Sequence, residues 1–375
     1  QPAEGIIDSG GGSIADWGFL GGISSDVAPL PSLLAAKGKQ TVVRNWLALK
    51  EAFSLIALIA TVALRDGRAP MLTSPELDAV TQQLIMALLT TRHNGAIDAG
   101  ALALEKICTA ALLSTATRQL PAAWLHGLLE TADRGKGTHL RRSAGLPDAL
   151  IAVLHAEKSS SSRTAPLFAT AAAFLVRRAH EASVTPAVEE DTDVGRVHAI
   201  NLLRAIFCDG RLSFQSNGYV SSGFEAAFSG LGSTDWNVRN AALLLLTALI
   251  DRSTCNGHKN ESAGGATRAG IRDFLARSPR LLPLMLEMLR HVAPDVSVDV
   301  SDGKPDVYAV LLLLSRLEPS PSQDGDDELC VDPLLPGVLG CGRHPAYRVR
   351  VAASRALVPL VAPEKVLSTI SSIVQ

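Results

Sequence analysis

One stretch of the chain gathers residue types that could do chemistry. Gly135-Lys136-Gly137-Thr138-His139-Leu140-Arg141-Arg142-Ser143-Ala144-Gly145-Leu146-Pro147 sets four potential cations (Lys136, His139, Arg141 and Arg142) among small and conformationally special residues. Glycines let a backbone approach another molecule closely. Two adjacent arginines offer forked donors that match phosphate. Gly145 and Pro147 both disfavour a helix interior, so they mark a helix N-terminus or a kink. A helix N-terminus attracts anions, and arginines beside it would strengthen that field. Two readings stand. The arginines contact phosphate or a partner, or they tie neighbouring helices together through carbonyls and carboxylates. Residues 131–180 hold eight Lys/Arg against three acids, whereas 295–332 hold ten acids against Lys304 and Arg316. A basic centre in a neutral protein is compatible with phosphate contacts and also with an ordinary solvated surface.

Other chemistry is weakly represented. Asp8-Ser9-Gly10-Gly11-Gly12-Ser13 has the flavour of a nucleotide or S-adenosylmethionine loop, but it lacks the third glycine and the strand–helix setting such a loop needs. It is read as a flexible loop. No Walker loop, no G-x-S-x-G elbow and no H-E-x-x-H occurs. The nine histidines never fall at metal-ligand spacing with Cys, Asp or Glu, and His198, inside an apolar run, reads as a hydrogen-bonded core residue. Five cysteines, odd in number and widely spaced without a C-x-x-C pair, support neither a disulfide framework nor a zinc site. The expectation is a chain without catalytic residues, cofactor or metal of its own.

The elements that must carry these residues read as helix after helix. Helices are expected at about 41–64, 76–92, 96–117, 121–132, 144–156, 165–182, 195–208, 219–231, 236–252, 271–277, 280–292, 306–317 and 346–361, with a short one after Pro363. The clearest is 236–252, where Val238, Ala241, Ala242, Leu245, Leu246 and Leu249 form one apolar stripe behind Asp235 as N-cap. Residues 1–40, rich in Gly, Ser and Pro, read as a loop-like lead-in. Loops are expected at about 158–164, 251–270 and 319–328. The segment from Asp235 to Ala242 resembles that from Tyr347 to Ala353, and Val-Arg-x-Ala-Ala before leucines is the second-helix pattern of HEAT and armadillo repeats. The fold expected is therefore all-α, an irregular HEAT/armadillo-like α-solenoid of stacked helix pairs over 41–375.

Composition agrees. The 375 residues are 47% hydrophobic and 19% charged, which excludes a disordered chain. Aromatics make up only 4%, poor material for a many-stranded fold, while abundant Leu and Ala favour helices. The net charge of −2 marks the whole molecule neither as a polyanion binder nor as an acidic tail. The longest near-apolar run, Ala52 to Leu64, is shorter than the roughly 18–20 residues of a membrane span and is read as a buried helix. No basic stretch followed by an apolar run stands at the start, so a cytoplasmic protein is expected. The first residue is Gln1, not Met, which reads as a piece of a longer chain.

Five separated stretches resemble one family, in order: Trp46-Leu47-Ala48-Leu49-Lys50-Glu51; Arg92-His93-Asn94-Gly95-Ala96; Arg141 through Pro147; Arg196-Val197-His198-Ala199-Ile200-Asn201-Leu202-Leu203-Arg204-Ala205-Ile206-Phe207; and Trp236-Asn237-Val238-Arg239-Asn240-Ala241-Ala242. Together they are similar to the central region of the THADA family (thyroid adenoma-associated protein and its fungal and plant relatives). The match is best over 41–252 and looser to the helix at 346–361. The long Gly/Ser loops and the Gly-rich start depart from the family pattern. The resemblance implies a large cytosolic α-solenoid, the non-catalytic partner of an FtsJ-like tRNA ribose 2′-O-methyltransferase that acts on the anticodon loop and itself holds S-adenosylmethionine. The alternative is a HEAT-like protein–protein scaffold without nucleic-acid binding. On the first reading Arg141, Arg142, Lys136 and His139 are candidate contacts to tRNA or partner. Gly145, Pro147, His198, Asn201, Trp236, Arg239 and Asn240 form the structural motif. Trp236 is expected to pack between helix pairs, and Arg239 and Asn240 to bond to the neighbouring repeat.

Overall fold

The computed structural model describes residues 30–65, 72–135, 145–159, 167–181, 193–255, 270–290, 307–319, 331–361 and 366–374. Among them lie sixteen α-helices: α1 Leu30–Arg65, α2 Ser74–Thr90, α3 Asn94–Leu113, α4 Leu120–Arg134, α5 Leu146–Ser159, α6 Leu167–His180, α7 Val194–Cys208, α8 Ser213–Ser216, α9 Val220–Leu231, α10 Trp236–Cys255, α11 Ile271–Arg277, α12 Leu281–Arg290, α13 Val307–Leu314, α14 Leu334–Cys341, α15 Tyr347–Ala356 and α16 Val366–Val374. No strand occurs among the described residues, only an isolated parallel bridge between Gly270 and Glu318. The chain divides between Ala48 and Leu49. Of the first unit, the described part is the Leu30–Ala48 stretch of α1.

Local chemistry sets the helix starts. At α2, Thr73 accepts from the Glu76 amide at 3.4 Å and donates its own amide to the Glu76 carboxylate at 2.8 Å, a reciprocal cap. Asp193 caps α7 by accepting from the Arg196 amide at 3.0 Å. Asp235 caps α10, accepting from the Asn237 amide at 2.8 Å as the sequence predicts.

In the second unit, each helix packs on helices close to it in chain order. α3 lies against α2, α4 and α5; α7 against α4, α5, α6, α9 and α10; α12 against α9, α13 and α14; and α15 against α13 and α14. This near-neighbour packing is what stacked helix pairs require, because one pair cannot bury its apolar face alone. A continuous core runs from Phe53 through Leu104, Leu150, Ile200, Phe224, Leu245, Leu281 and Leu311 to Ala353. Cys108 and Cys341 are buried free cysteines and Cys208 is an exposed one. Burial pushes the Cys341 thiol up to about 11.

Several boundaries differ from expectation. α1 begins at Leu30, inside the stretch read as a loop-like lead-in. Pro31 falls in the first helical turn, where its missing N–H costs nothing, and Leu-Leu-Ala-Ala follows it. α5 runs to Ser159 and α10 to Cys255, so the loops expected from 158 and from 251 begin later. α14 is unexpected. Pro336, Gly337 and Gly340 mask its pattern, yet it buries Leu334, Val338 and Cys341. α1 also includes one stretch, Val43–Leu64, long and apolar enough to cross a membrane by length and composition, because Lys50 and Glu51 do not break the helix. Only one side of that stretch is buried, by Phe53, Ala57, Ala60 and Ala63.

Candidate functional site

The segment carrying Lys136, His139, Arg141 and Arg142 lies outside the described residues, but both of its anchors are fixed. On one side α4 ends at Gly135, whose φ of +63° suits a residue without Cβ; its amide donates to the Thr131 carbonyl at 3.2 Å. A Cβ there would also stand 2.5 Å from Cγ1 of Val194, the first residue of α7. On the other side Gly145 immediately precedes α5, its carbonyl accepting from the Ala149 amide at 3.0 Å. A Cβ on Gly145 would fall on the Leu88 carbonyl near the end of α2. Pro147 is the second residue of α5. The helix N-terminus expected from Gly145 and Pro147 is thus present, and the pair explains a close helix–helix approach.

Charged groups stand close to both anchors. Asp148 sits in the first turn of α5. Burial, then the nearby Asp98, pushes its carboxyl above the usual range. The first turn of α5 thus carries one acid of the protein's own, whose charge burial and Asp98 oppose. The described arginines of the basic centre are paired. Arg134 meets Glu130 at 3.2 Å and Arg177 meets Glu181 at 3.2 Å. Arg178 reaches from α6 to Asp133 on α4 (Nε, 2.5 Å) and to Asp193 before α7 (Nη2, 2.6 Å). Burial opposes the charge of Arg178, but the bonds to Asp193 and Asp133 outweigh it and its pKa rises. Arg196, buried in α7, donates from Nε to the Ala179 carbonyl at 2.8 Å and from Nη2 to Ser229 Oγ at 3.0 Å. Its pKa is lowered by burial. This node joins α4, α6, α7 and α9 beside Gly135.

His198 and Asn201 are buried in α7, and burial lowers the His198 pKa to about 4. Trp236, expected in the core, is 65% exposed. It is the first residue of α10, and the buried position belongs to Val238 two residues on. Asn240 is exposed. Arg239 donates from Nη1 to the carbonyls of Ser233 and Thr234, at 2.7 and 2.6 Å, so it holds the turn before its own helix and not a neighbouring repeat. Arg350 of α15 does the same to His344 and Pro345, at 2.9 and 2.8 Å, behind an exposed Tyr347 and a buried Val349. The two look-alike segments are therefore one structural device used twice.

A second polar node escaped sequence reading. Buried His155 of α5 stands between Glu105 of α3 (Nδ1, 3.4 Å) and Asp209 after α7 (Nε2, 3.0 Å), and Arg211 donates to Glu105 at 2.9 Å. Burial opposes the Asp209 charge, but the His155 hydrogen bond and the amides of Leu212 and Arg211 win, and its pKa falls. These partners lie far apart in sequence and carry no local signature.

Comparison with known proteins places this architecture. A family described as THADA/TRM732, DUF2428 matches residues 30–237, more than half of the chain. The chain belongs to the THADA/TRM732 family. A second description, Trm732 C-terminal TPR repeats, matches residues 239–375. The "tRNA (32-2′-O)-methyltransferase regulator THADA" of Mus musculus is 30% identical over 94% of this chain and 19% of its own length. The "tRNA (32-2′-O)-methyltransferase regulator trm732" of Schizosaccharomyces pombe is 25% identical over 97% of this chain and 24% of its own. The THADA protein of Drosophila melanogaster is 26% identical over 81% of this chain and 18% of its own. The chain thus spans about a fifth of the length of these relatives. No solved structure matches. Both anchors of the Arg141–Arg142 segment and the Arg178 node fall within the THADA/TRM732 match, and α11 to α16 within the TPR match.

Proposed function

We propose that this chain is part of a non-catalytic regulator of a tRNA ribose 2′-O-methyltransferase. The partner is FtsJ-like, holds S-adenosylmethionine and methylates the anticodon loop in the cytoplasm. The helix stack presents surface to tRNA and partner, and the segment 136–144 supplies cations between two rigid anchors. Phosphate contacts position the substrate while the partner supplies the chemistry. The observation that carries this reading is the likeness, over 94% of the chain, to a relative named as a regulator of that methyltransferase.

The test uses the full-length protein reconstituted with the methyltransferase and tRNA. Alone, the full-length protein transfers no methyl group. In the complex, the double change Arg141→Ala and Arg142→Ala leaves melting unaltered and strongly reduces anticodon-loop methylation. If RNA is the target, the log–log salt dependence of binding becomes shallower by about one unit for each phosphate that is no longer neutralised. A folded double variant that methylates normally would remove the role given to these arginines.

A second reading, a protein–protein scaffold without nucleic acid, is favoured by one observation. Arg134, Arg177 and Arg178 are each paired with carboxylates, so the described part of the basic centre is internally neutralised. tRNA binding by the full-length protein without the methyltransferase separates the two.

A further inference from the structure

α6, α9 and α12 leave an open pocket of about 480 Å³ between them. Its size falls within the range of small-molecule sites. The floor is apolar, made by buried Phe228 and Met288 and part-buried Leu284. The rim is polar. There the Ser229 hydroxyl accepts from Nη2 of buried Arg196 at 3.0 Å, which leaves the hydroxyl proton for another acceptor. A guanidinium behind that hydroxyl strengthens the bond it can give. Arg280 stands 3.9 Å from Glu225 with its side chain 75% exposed, so the pair is loose and the guanidinium keeps donors to spare. His180, exposed at the end of α6, adds an imidazole to the same rim. Glu225 adds one carboxylate. The pocket lies where the two family matches meet, α6 and α9 in the first and α12 in the second.

We propose that this pocket receives one unstacked nucleotide of an RNA strand, its base on the apolar floor and its phosphate against Ser229, Arg280 and His180. This deepens the tRNA reading above and rests on it. Charge complementarity selects the occupant. The pocket offers donors for one anion, a carboxylate acceptor and an apolar seat. A nucleotide carries the complement of all three: a phosphate, N–H groups on the base edge and a ring with an apolar face. An acidic peptide would meet Glu225 as a like charge, and a basic one would meet Arg280. A duplex presents phosphates but keeps its base faces stacked, so it would leave the floor empty. Single-stranded RNA is the form whose bases splay out of the stack onto protein side chains.

Binding of tRNA to the full-length protein, alone and with the methyltransferase, tests it. Leu284→Trp fills the pocket and should weaken binding by on the order of tenfold, as loss of one stacked base does, with melting unaltered. Leu113→Trp, an exposed control at the end of α3, should leave binding unchanged. Arg280→Ala should make the log–log salt dependence shallower by about 0.7, the single-strand value for one phosphate. Normal binding by folded Leu284→Trp, an equal loss in Leu113→Trp, or an unchanged slope in Arg280→Ala overturns the proposal. Should Leu284→Trp unfold, the Arg280→Ala slope decides. A photo-crosslinking amino acid in place of Leu284 then identifies the occupant. An adduct that nuclease trims to a nucleotide supports the proposal. An adduct with residues 182–192 or another part of the same chain, an adduct with the methyltransferase, or no adduct overturns it. Guanosine 5′-monophosphate bound as tightly as tRNA would make the source a free nucleotide and overturn the RNA strand. A wild-type protein that binds no tRNA in either setting overturns the tRNA reading itself, whereas normal binding by the pocket variants overturns the pocket alone.

Discussion

α7 carries charged and polar residues, the Ala52–Leu64 part of α1 carries no charge, and the two meet opposite surroundings. In α7 almost every side from Gly195 to Phe207 is buried, including Arg196, His198 and Asn201, because α4, α5, α6, α9 and α10 close around it. In α1 the residues from Ala52 to Leu64 carry no charged side chain, yet Leu55, Leu58, Ile59 and Val62 face outward. An apolar helix with no polar side is a statement about how many neighbours the folded chain provides. α7 finds them within this chain, whereas the described residues give α1 neighbours on one side only.

That comparison can be broken at several points. The largest effect is expected at the enclosed helix. Ile200→Ala in α7 should lower unfolding free energy by about 2–5 kcal/mol, as buried large-to-small changes do, measured by urea denaturation of the full-length protein. A loss well below about 2 kcal/mol, the lower end for such changes, would mean α7 is not tightly enclosed.

Next comes the buried histidine. The His198 pKa drops from 6.5 to about 4 on folding. The unfolded chain therefore binds the proton first as pH falls. Its contribution is complete above pH 6.5, declines between 6.5 and about 4, and changes no further below that. The full loss is about 3 kcal/mol. His198→Gln should flatten this part of the stability–pH profile, and an unchanged slope would show that His198 is solvated.

At the half-covered helix, Leu58→Ala in the full-length protein should cost about 1–3 kcal/mol if its outer face is packed, but stay within about 0.5 kcal/mol if that face is open. The smallest effect is expected at Trp236→Ala, within about 0.5 kcal/mol, because the ring lies outside the core. A loss on the scale of Ile200→Ala would return Trp236 to an enclosed site.

Trp236 also shows where sequence reading stops. Its size argues for burial, but as first residue of α10 it leaves the core position to Val238. The helices themselves are legible because their 3.6-residue pattern is local, and so is the start of α5, since Gly145 and Pro147 announce it. α14 is hidden because Pro336, Gly337 and Gly340 dilute its apolar face, although Gly337 is small for a reason: a Cβ there would lie 2.8 Å from Leu289 Cβ. The node of Asp133, Arg178 and Asp193 is illegible for a different cause. Its members are 45 and 15 positions apart and meet only once α4, α6 and α7 are packed. Pairing between distant helices has no period to detect.

The arginines that grip the turns before α10 and α15 carry a consequence for how such a protein can change over time. The grip comes from inside the helix and takes hold of backbone carbonyls, which every residue possesses. The gripped turns are accordingly unlike in sequence: Ser233-Thr234-Asp235 in one, His344-Pro345-Ala346 in the other. Joints secured in this way can be rewritten, and the aromatic beside each can be exchanged for another surface residue, while the helices they join keep their places. A long polypeptide of many such joints can acquire new outer faces one turn at a time without having to be refolded around each of them.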